Sequence, residues 1–333
     1  MSKKATMQDV ATEANVSLSS VSLYLNNKPG LGDATRQRIA DAVAKLQYMP
    51  RKSNGVDSTL IGLLVERLPF SMFSDLHYGE VIHSMEGAAR DLGYNLTLII
   101  VEPGQSMPVS ERLRNLGGVV VLGGGDITAD VINSAVEVAV SAIMVDVSLP
   151  DRPLNCVLVD NVSGAYQATQ YLLKKGYQRI ACIQGPKKYP SLVERFQGYC
   201  FALIEAGIPL ETGLIQPPIS SGYPNKGYRE MLALLERGEH FDAVFCVSDR
   251  TAFGALQALQ EAGLRVPQDV ALVGFENSAQ SSYTSPPLTT VNMPKKELGE
   301  VAIYHLHEVM NGNTPPQPVK IVLPTSLVIR DST

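Results

Sequence analysis

From Leu60 onward the chain alternates short apolar runs with amphipathic stretches, and that alternation leaves few folds open. LIGLLV at 60–65, YNLTLII at 94–100, GVVVL at 117–121 and AIMVD at 142–146 have strand length, with helical spacing between them near 77–92 and 129–140. A second series follows. It comprises a helix near 163–175, RIACIQ at 179–184, helices near 192–206 and 226–236, AVFCV at 243–247, a helix near 251–262 and VALVGF at 270–275. Strands that read as continuous apolar runs are buried on both faces, and helical crossovers between them make the sheet parallel. About ten strands would overfill one open sheet, so the pattern predicts two doubly wound parallel sheets. The last part, through KIVLPTSLVI, adds one helix and two strands.

The first fifty residues have a different texture. Met7, Val10, Ala11 and Ala14 follow helical spacing, and Val16, Val21 and Leu25 can close against them as one small core. Thr6 and Ser17 are N-cap residues by type. Asn15, between the two short helices, tolerates the left-handed backbone that a tight turn needs. A third amphipathic helix is expected from 33 to about 47, with Ile39, Val43 and Leu46 on one face. The outward positions of the second helix, Leu18, Ser19, Ser20, Ser22 and Leu23, are mostly short. Such a helix can approach base edges closely, offering hydroxyls for hydrogen bonds and apolar tips for thymine methyls. The pattern predicts a small all-α helix-turn-helix headpiece ahead of an α/β domain.

Charge separates the same two regions. The 333-residue chain carries a formal net charge of -5, yet residues 1–52 hold eight Lys or Arg against four acids, which leaves -9 on the rest. A basic head on an acidic body suits a DNA reader with a separate sensing module. No apolar run follows Met1 and no stretch has the length of a membrane span, so a cytoplasmic chain without membrane contact is expected. Cys156, Cys182, Cys200 and Cys246 lie far apart and read as reduced core residues. GGVVVLGGGD at 117–126 places Thr128 where a third dinucleotide glycine would fall, and no Walker lysine follows. Its glycines instead suit a strand end that something approaches closely. The histidines have no metal spacing, and no triad or paired carboxylates stand out, so neither cofactor, metal nor enzymatic activity is expected.

Two sets of motifs resemble one family. DVA at 9–11, VSxxSVSxxLNNKPG at 16–30, TRxRI at 35–39 and YxP at 48–50 resemble the DNA-binding headpiece of the lactose/galactose-repressor family of bacterial transcription regulators. GYQRIACIQGP, ERFQGY, AVFCVSD, GLRVPQDVALVGFEN, SPPLTTV and LPTSLVIRDST resemble its effector-binding domain, which is similar to sugar-binding proteins of the bacterial periplasm. Only 51–59 and 101–116 match poorly. The resemblance implies a headpiece at 1–50, a short linker at 51–59 and an effector-binding and dimerisation domain at 60–333. It further implies an N-subdomain of about 60–160 and 292–319, a C-subdomain of about 161–290 and 320–333, and three crossover segments near 160, 290 and 320.

The implied function is a sequence-specific transcription regulator, a repressor, whose affinity for double-stranded operator DNA is controlled by a small-molecule effector, a sugar or related metabolite. The chain ends at RDST without the leucine heptads of the family's tetrameric members, so a homodimer is expected. The competing reading is a transport-associated, periplasmic-type sugar-binding protein without enzymatic activity, against which the basic headpiece counts. By the resemblance, Thr6, Ser17, Leu18, Ser19, Ser20, Ser22, Leu23, Asn26 and Lys28 meet DNA. The effector-binding set carries over as His77, Tyr78, Asp146, Ser191, Arg195, Tyr223, Ser248 and Glu276. Ser248 stands where the family usually has Asn, and Glu276 where it usually has Asp.

The linker RKSNGVDST departs most from the family, which has an Ala- and Leu-rich segment there that becomes a helix on DNA and wedges a leucine pair into the minor groove. Here no leucine precedes Leu60, and Asn54-Gly55 is a turn signal. A short segment with an interior Gly has little helix propagation to offset nucleation. The linker is therefore expected to stay extended or turn, and the operator to bend little. Circular-permutation gel shifts should show a weak bend that Val56→Ala leaves alone. A strong central kink abolished by Val56→Ala would contradict this.

Overall fold

Thr6 opens the first helix with a reciprocal cap. Its hydroxyl accepts from the Asp9 N–H at 3.2 Å, and the Asp9 carboxylate accepts from the Thr6 N–H at 2.7 Å. This helix, α1 (Met7–Ala14), ends at Asn15, whose φ of 50° and ψ of 55° are the left-handed values its residue type predicted. Helices α2 (Leu18–Leu25) and α3 (Asp33–Lys45) follow. Val10, Ala11, Ala14, Val21, Ile39 and Ala42 form the buried core, with Met7, Val16, Leu25, Val43 and Leu46 packed around it. An exposed Lys45–Glu13 ion pair at 2.7 Å ties α3 to α1.

The computed structural model describes residues 6–25, 30–46, 48, 57–66, 78–101, 112–113, 115–123, 127, 129–137, 141–149, 151–219 and 226–333. The chain divides into two compact units, Met1–Asp57 and Ser58–Thr333. The expected linker at 51–56 lies outside the described residues, and its expected last residues, Asp57 to Thr59, are already strand.

The larger unit starts with β1 (Asp57–Glu66), α4 (Tyr78–Asp91), β2 (Asn95–Val101), β3 (Leu116–Leu122), α5 (Ala129–Glu137), β4 (Ser141–Val145) and β5 (Cys156–Val159). Next come α6 (Asn161–Lys174), β6 (Ile180–Ile183), α7 (Pro190–Glu205), β7 (Ile215–Gln216), α8 (Tyr228–Glu236), β8 (Ala243–Cys246), α9 (Asp249–Glu261) and β9 (Ala271–Glu276). The unit closes with β10 (Thr289–Asn292), α10 (Lys295–Met310), β11 (Lys320–Leu323) and β12 (Ser326–Val328). Among the described residues these strands make two six-stranded sheets, ordered β11-β5-β4-β3-β1-β2 and β12-β10-β9-β8-β6-β7. The one antiparallel register described is β10 with β12.

Each sheet is covered on both faces. In the first, Ile61, Leu63 and Val65 of β1 face Val81 and Met85 of α4 and Leu298 and Ile303 of α10. Leu64, Val119 and Val121 face Ile132 and Ala135 of α5 on the other side. In the second, α8 and α9 supply Met231, Leu234, Ala255 and Leu259 to one face, and α6 and α7 supply Ala165, Ala168, Tyr199 and Leu203 to the other.

The chain passes between sheets at Asp160, at Met293–Pro294 and at Pro324–Thr325. Two of the expected boundaries move. β10 holds residues up to Asn292 in the second sheet, and Lys320–Leu323 pairs with β5 in the first, so the last crossing lies beyond 323 rather than near 320. Pro324 has no N–H to continue a ladder, which breaks KIVLPTSLVI into two strands of different sheets instead of one. Two short strands, β5 and β7, had no counterpart in the expected series. The four cysteines are free, with Cys156, Cys182 and Cys246 buried and Cys200 half-buried.

Candidate functional site

Within the larger unit the carboxyl ends of β1 and β6 are brought together by the Lys188–Glu66 contact, at the strand ends where open α/β folds place their ligand crevices. From the first sheet come Glu66 at the end of β1 and Asp146 just past β4, and from the second Val247 past β8 and Glu276 at the end of β9. Lys188, in the loop before α7, reaches across to place its Nζ 3.8 Å from the buried Glu66 carboxylate. Lys295 bridges the halves where β10 gives way to α10, its Nζ 3.3 Å from Glu80 of α4 and 3.3 Å from the Asn277 carbonyl oxygen.

Arg195 is the centre of this region, and the crossing of α6 and α7 places it. A side chain at Gly198 would overlap the Val162 carbonyl oxygen, so the two helices meet closely there. One turn earlier, Arg195 Nε donates to Asn161 Oδ1 of α6 at 2.9 Å. Its Nη1 donates to the Val247 carbonyl oxygen at 2.9 Å and to Glu276 Oε1 at 3.0 Å. The guanidinium lies 4.0 Å from the centre of the Phe275 ring, a stacking that suits its planar face. With the side chain 1% exposed, the buried charge has its counter-charge in Glu276, 3.0 Å away.

Beside that pair, Asp249 is fully buried and gathers segments distant in sequence. Its carboxylate accepts from the Ser278 N–H at 2.7 Å, Ser281 Oγ at 2.6 Å and Thr290 Oγ1 at 2.5 Å. Burial, and then the Glu276 charge, push it up from 3.8 to about 6, against the pull of those hydrogen bonds. Glu276 and Asn277 carry φ of 115° and 47°. The strand end is thus held in a turn that non-glycine residues adopt only where their surroundings fix them.

The structure brings most of the expected effector-binding residues to this region. Asp146 is buried with φ 58°, its N–H donating to the Val157 carbonyl oxygen at 3.0 Å. Tyr78 opens α4, and its hydroxyl fills the space where a Gly123 side chain would stand, which answers why that strand end is glycine. Ser191 is half-buried in the first turn of α7. Ser248 also caps α9: its Oγ accepts from the Thr251 N–H at 3.2 Å and lies 3.0 Å from Thr251 Oγ1. His77 and Tyr223 lie outside the described residues. Sequence reasoning did not single out Asn161, Glu194, Lys226 or Asp249. The first two flank a crossing and a motif arginine, and that adjacency was the available signal. Burial holds Lys226 below its ordinary value, with Glu230 pulling it back, Arg250 adding to the fall and Glu276 opposing it.

On the headpiece, Ser17, Leu18 and Ser19 are exposed and Ser20 and Leu23 half-buried, with Leu18 42% exposed. Ser17 Oγ accepts from the Ser20 N–H at 3.1 Å and lies 2.7 Å from Ser19 Oγ and 2.8 Å from Ser20 Oγ. The helix start therefore presents a cluster of hydroxyls, the chemistry phosphates and base edges accept. Asn26 and Lys28, and the Ser22 side chain, lie outside the described residues. Ser19→Ala should cost about 1–3 kcal/mol on the true operator and little on random DNA, measured by competition gel shift. An equal loss on both would assign Ser19 to phosphate contact alone.

Among the described residues, no His, Cys, Asp and Glu are grouped to hold a metal, and no helix is long and apolar enough to cross a membrane.

Comparison with known proteins adds two family matches: bacterial regulatory proteins of the lacI family over residues 6–51, and a periplasmic binding protein-like domain over 169–333. The chain is 30% identical to the HTH-type transcriptional regulator CelR of Thermobifida fusca, over 99% of this chain and 98% of that one. It is 31% identical to the HTH-type transcriptional regulator DegA of Bacillus subtilis, with the same coverage. Among solved structures, the CelR–cellobiose complex matches with a TM-score of 0.73 at 30% identity, covering 99% of this chain and 100% of that one. A lac repressor dimer bound to operator and the anti-inducer ONPF matches with a TM-score of 0.71 at 26% identity, covering 99% of each.

Proposed function

Since the chain belongs to the lacI family of bacterial regulatory proteins and is a DNA-binding transcription regulator, we propose that a sugar or related metabolite, held in the cleft, sets its affinity for operator DNA. The observation that carries this reading is the Arg195–Glu276 pair, buried at the converging strand ends and oriented on three sides. A fork of fixed donors beside carboxylate acceptors suits a ligand whose hydroxyls both donate and accept. Asp146, Arg195 and Glu276 are assigned the polar contacts, with Tyr78 and Ser191 beside them. His77 and Tyr223 are assigned by resemblance alone. Ser17, Leu18, Ser19, Ser20, Ser22, Leu23, Asn26 and Lys28 are assigned to double-stranded operator DNA, with Thr6 capping the helix before them. The working form is a homodimer on a two-fold operator, for which the lac repressor dimer on its operator is the supporting parallel.

A gel shift of genomic fragments, repeated with each member of a sugar panel that raises the melting temperature, tests the reading. Specific retardation altered by a stabilising sugar is the expected result. Stabilisation by sugars with no specific retardation would favour a sugar-binding protein of another role.

A further inference from the structure

The ammonium of Lys295 is buried just after the chain crosses from the second sheet back to the first, its side chain 4% exposed. The close crossing of α4 and α10 puts it there. A side chain at Gly299 would overlap the Val81 carbonyl oxygen, and one turn earlier Lys295 Nζ stands 3.3 Å from Glu80 Oε2 of α4. A second hydrogen bond, also 3.3 Å, runs to the Asn277 carbonyl oxygen, which belongs to the other half. Asn277 directly follows Glu276, and its neighbours hold it on several sides. Its N–H donates to Thr290 Oγ1 at 3.2 Å, its Nδ2 donates to Asn292 Oδ1 at 2.9 Å, and its Oδ1 accepts from Arg330 Nη2 at 2.7 Å. Asn277 is thus fixed to the strand end that presents Glu276 to Arg195, while Lys295 is fixed to α10 and α4.

In turn α4 packs Val81 and Met85 against β1, the strand with which the chain enters this unit after the headpiece segment. The Lys295–Asn277 bond is therefore a charged link between the turn at Glu276 and the helix layer on β1. At 3.3 Å it is already long, so a shift of about half an ångström between the halves breaks it. We propose that Lys295 is a positioning residue that couples effector to operator: it ties the Glu276–Asn277 turn to α4 in one state of the chain and releases it in the other. This rests on the reading of the cleft as the effector site. Whichever state keeps the bond, its loss brings the operator affinities of the two states together. Lost from the effector-free state, it lets the free chain relax toward the bound form; lost from the bound state, it leaves a saturating sugar less able to hold that form.

The experiment measures the operator dissociation constant of the full chain with and without saturating glucose, ribose or cellobiose, and the sugar affinity by calorimetry. A charged hydrogen bond made in one state alone is worth about tenfold or more between the states. In Lys295→Met, which keeps a buried apolar stem without the charge, sugar should still bind, and the ratio of the two operator constants should fall toward one by about that factor. A purely structural role would lower the melting temperature and leave the ratio alone. Glu80→Gln leaves the ammonium its bond to Asn277, so there the ratio should fall by only about two- to fivefold. Lys296→Met, which removes an exposed ion pair with Glu300 from the same helix, should match the wild type. A wild-type ratio in Lys295→Met, or in Glu80→Gln if Lys295→Met does not fold, overturns the proposal while leaving the effector site standing. So does a Lys295→Met chain that binds no sugar the wild type binds, because the ammonium is then a ligand contact. If no panel member binds the wild type, the effector reading falls and this proposal with it.

Discussion

Arg195→Ala and Glu276→Ala are expected to lose the effector response while specific operator binding persists. Each removes one partner of a charged hydrogen bond at the converging strand ends. Loss of such a bond to a ligand costs about 1.5–3 kcal/mol, a ten- to hundredfold fall in affinity. The two variants should differ in stability. Arg195→Ala takes the cation away from the buried Glu276 carboxylate and the donors away from Asn161 and the Val247 carbonyl oxygen, which should destabilise the larger unit by about 3–5 kcal/mol. Glu276→Ala leaves Arg195 its bonds to Asn161 and Val247, so its penalty should be the smaller. Urea unfolding read by tyrosine fluorescence separates the loss of stability from the loss of response. Wild-type ligand titration in both variants would remove these residues from the site.

Asp249→Ala should be the most damaging single change near the cleft. It strips the acceptor from the Ser278 N–H and the Ser281 and Thr290 hydroxyls in a fully buried place. Each buried donor left unsatisfied costs about 1–3 kcal/mol and three are left, so about 3–9 kcal/mol in all is expected. The same residue gives the stability a pH dependence with a defined sign. Its folded value of about 6 lies above the ordinary 3.8, so the folded chain holds a proton that the unfolded chain has released. Its contribution is therefore full below about pH 4 and is lost as pH rises through about 6, by about 3 kcal/mol at most. In Asp249→Asn this part of the slope should vanish, seen as the difference between the two proteins in melting temperature from pH 4 to 7. Parallel curves would refute the assignment.

Much of the fold was legible because it rests on local rules. The Thr6 cap and the left-handed Asn15 followed from residue type, and the alternation after Leu60 led to the two sheets. What escaped depended on distant partners. CVLV at 156–159 is too short to stand out, and it becomes a strand because β4 and β11 flank it. KIVL and SLV look like one strand until Pro324 sends them to different sheets. In the candidate site, Arg195, Asp146 and Glu276 were legible because each stands in a motif, and the structure places Asp146 and Glu276 at strand ends. Asp249 was passed over because its significance lies in Ser278, Ser281 and Thr290, about 29 to 41 residues further on. That Ser248 caps α9 was not singled out either, since the cap depends on where the helix starts.

The central claim is that a ligand seated between the sheets changes how tightly the headpiece holds DNA. The direct measurement is the operator dissociation constant of the full chain, by fluorescence anisotropy, with and without a saturating sugar that stabilises it, in wild type and Glu276→Ala side by side. Coupling between two sites of this kind changes affinity by about 5- to 150-fold. The account predicts a change within that range for wild type and a flat response for Glu276→Ala. A sugar that stabilises the wild type yet leaves its operator affinity unchanged would contradict it.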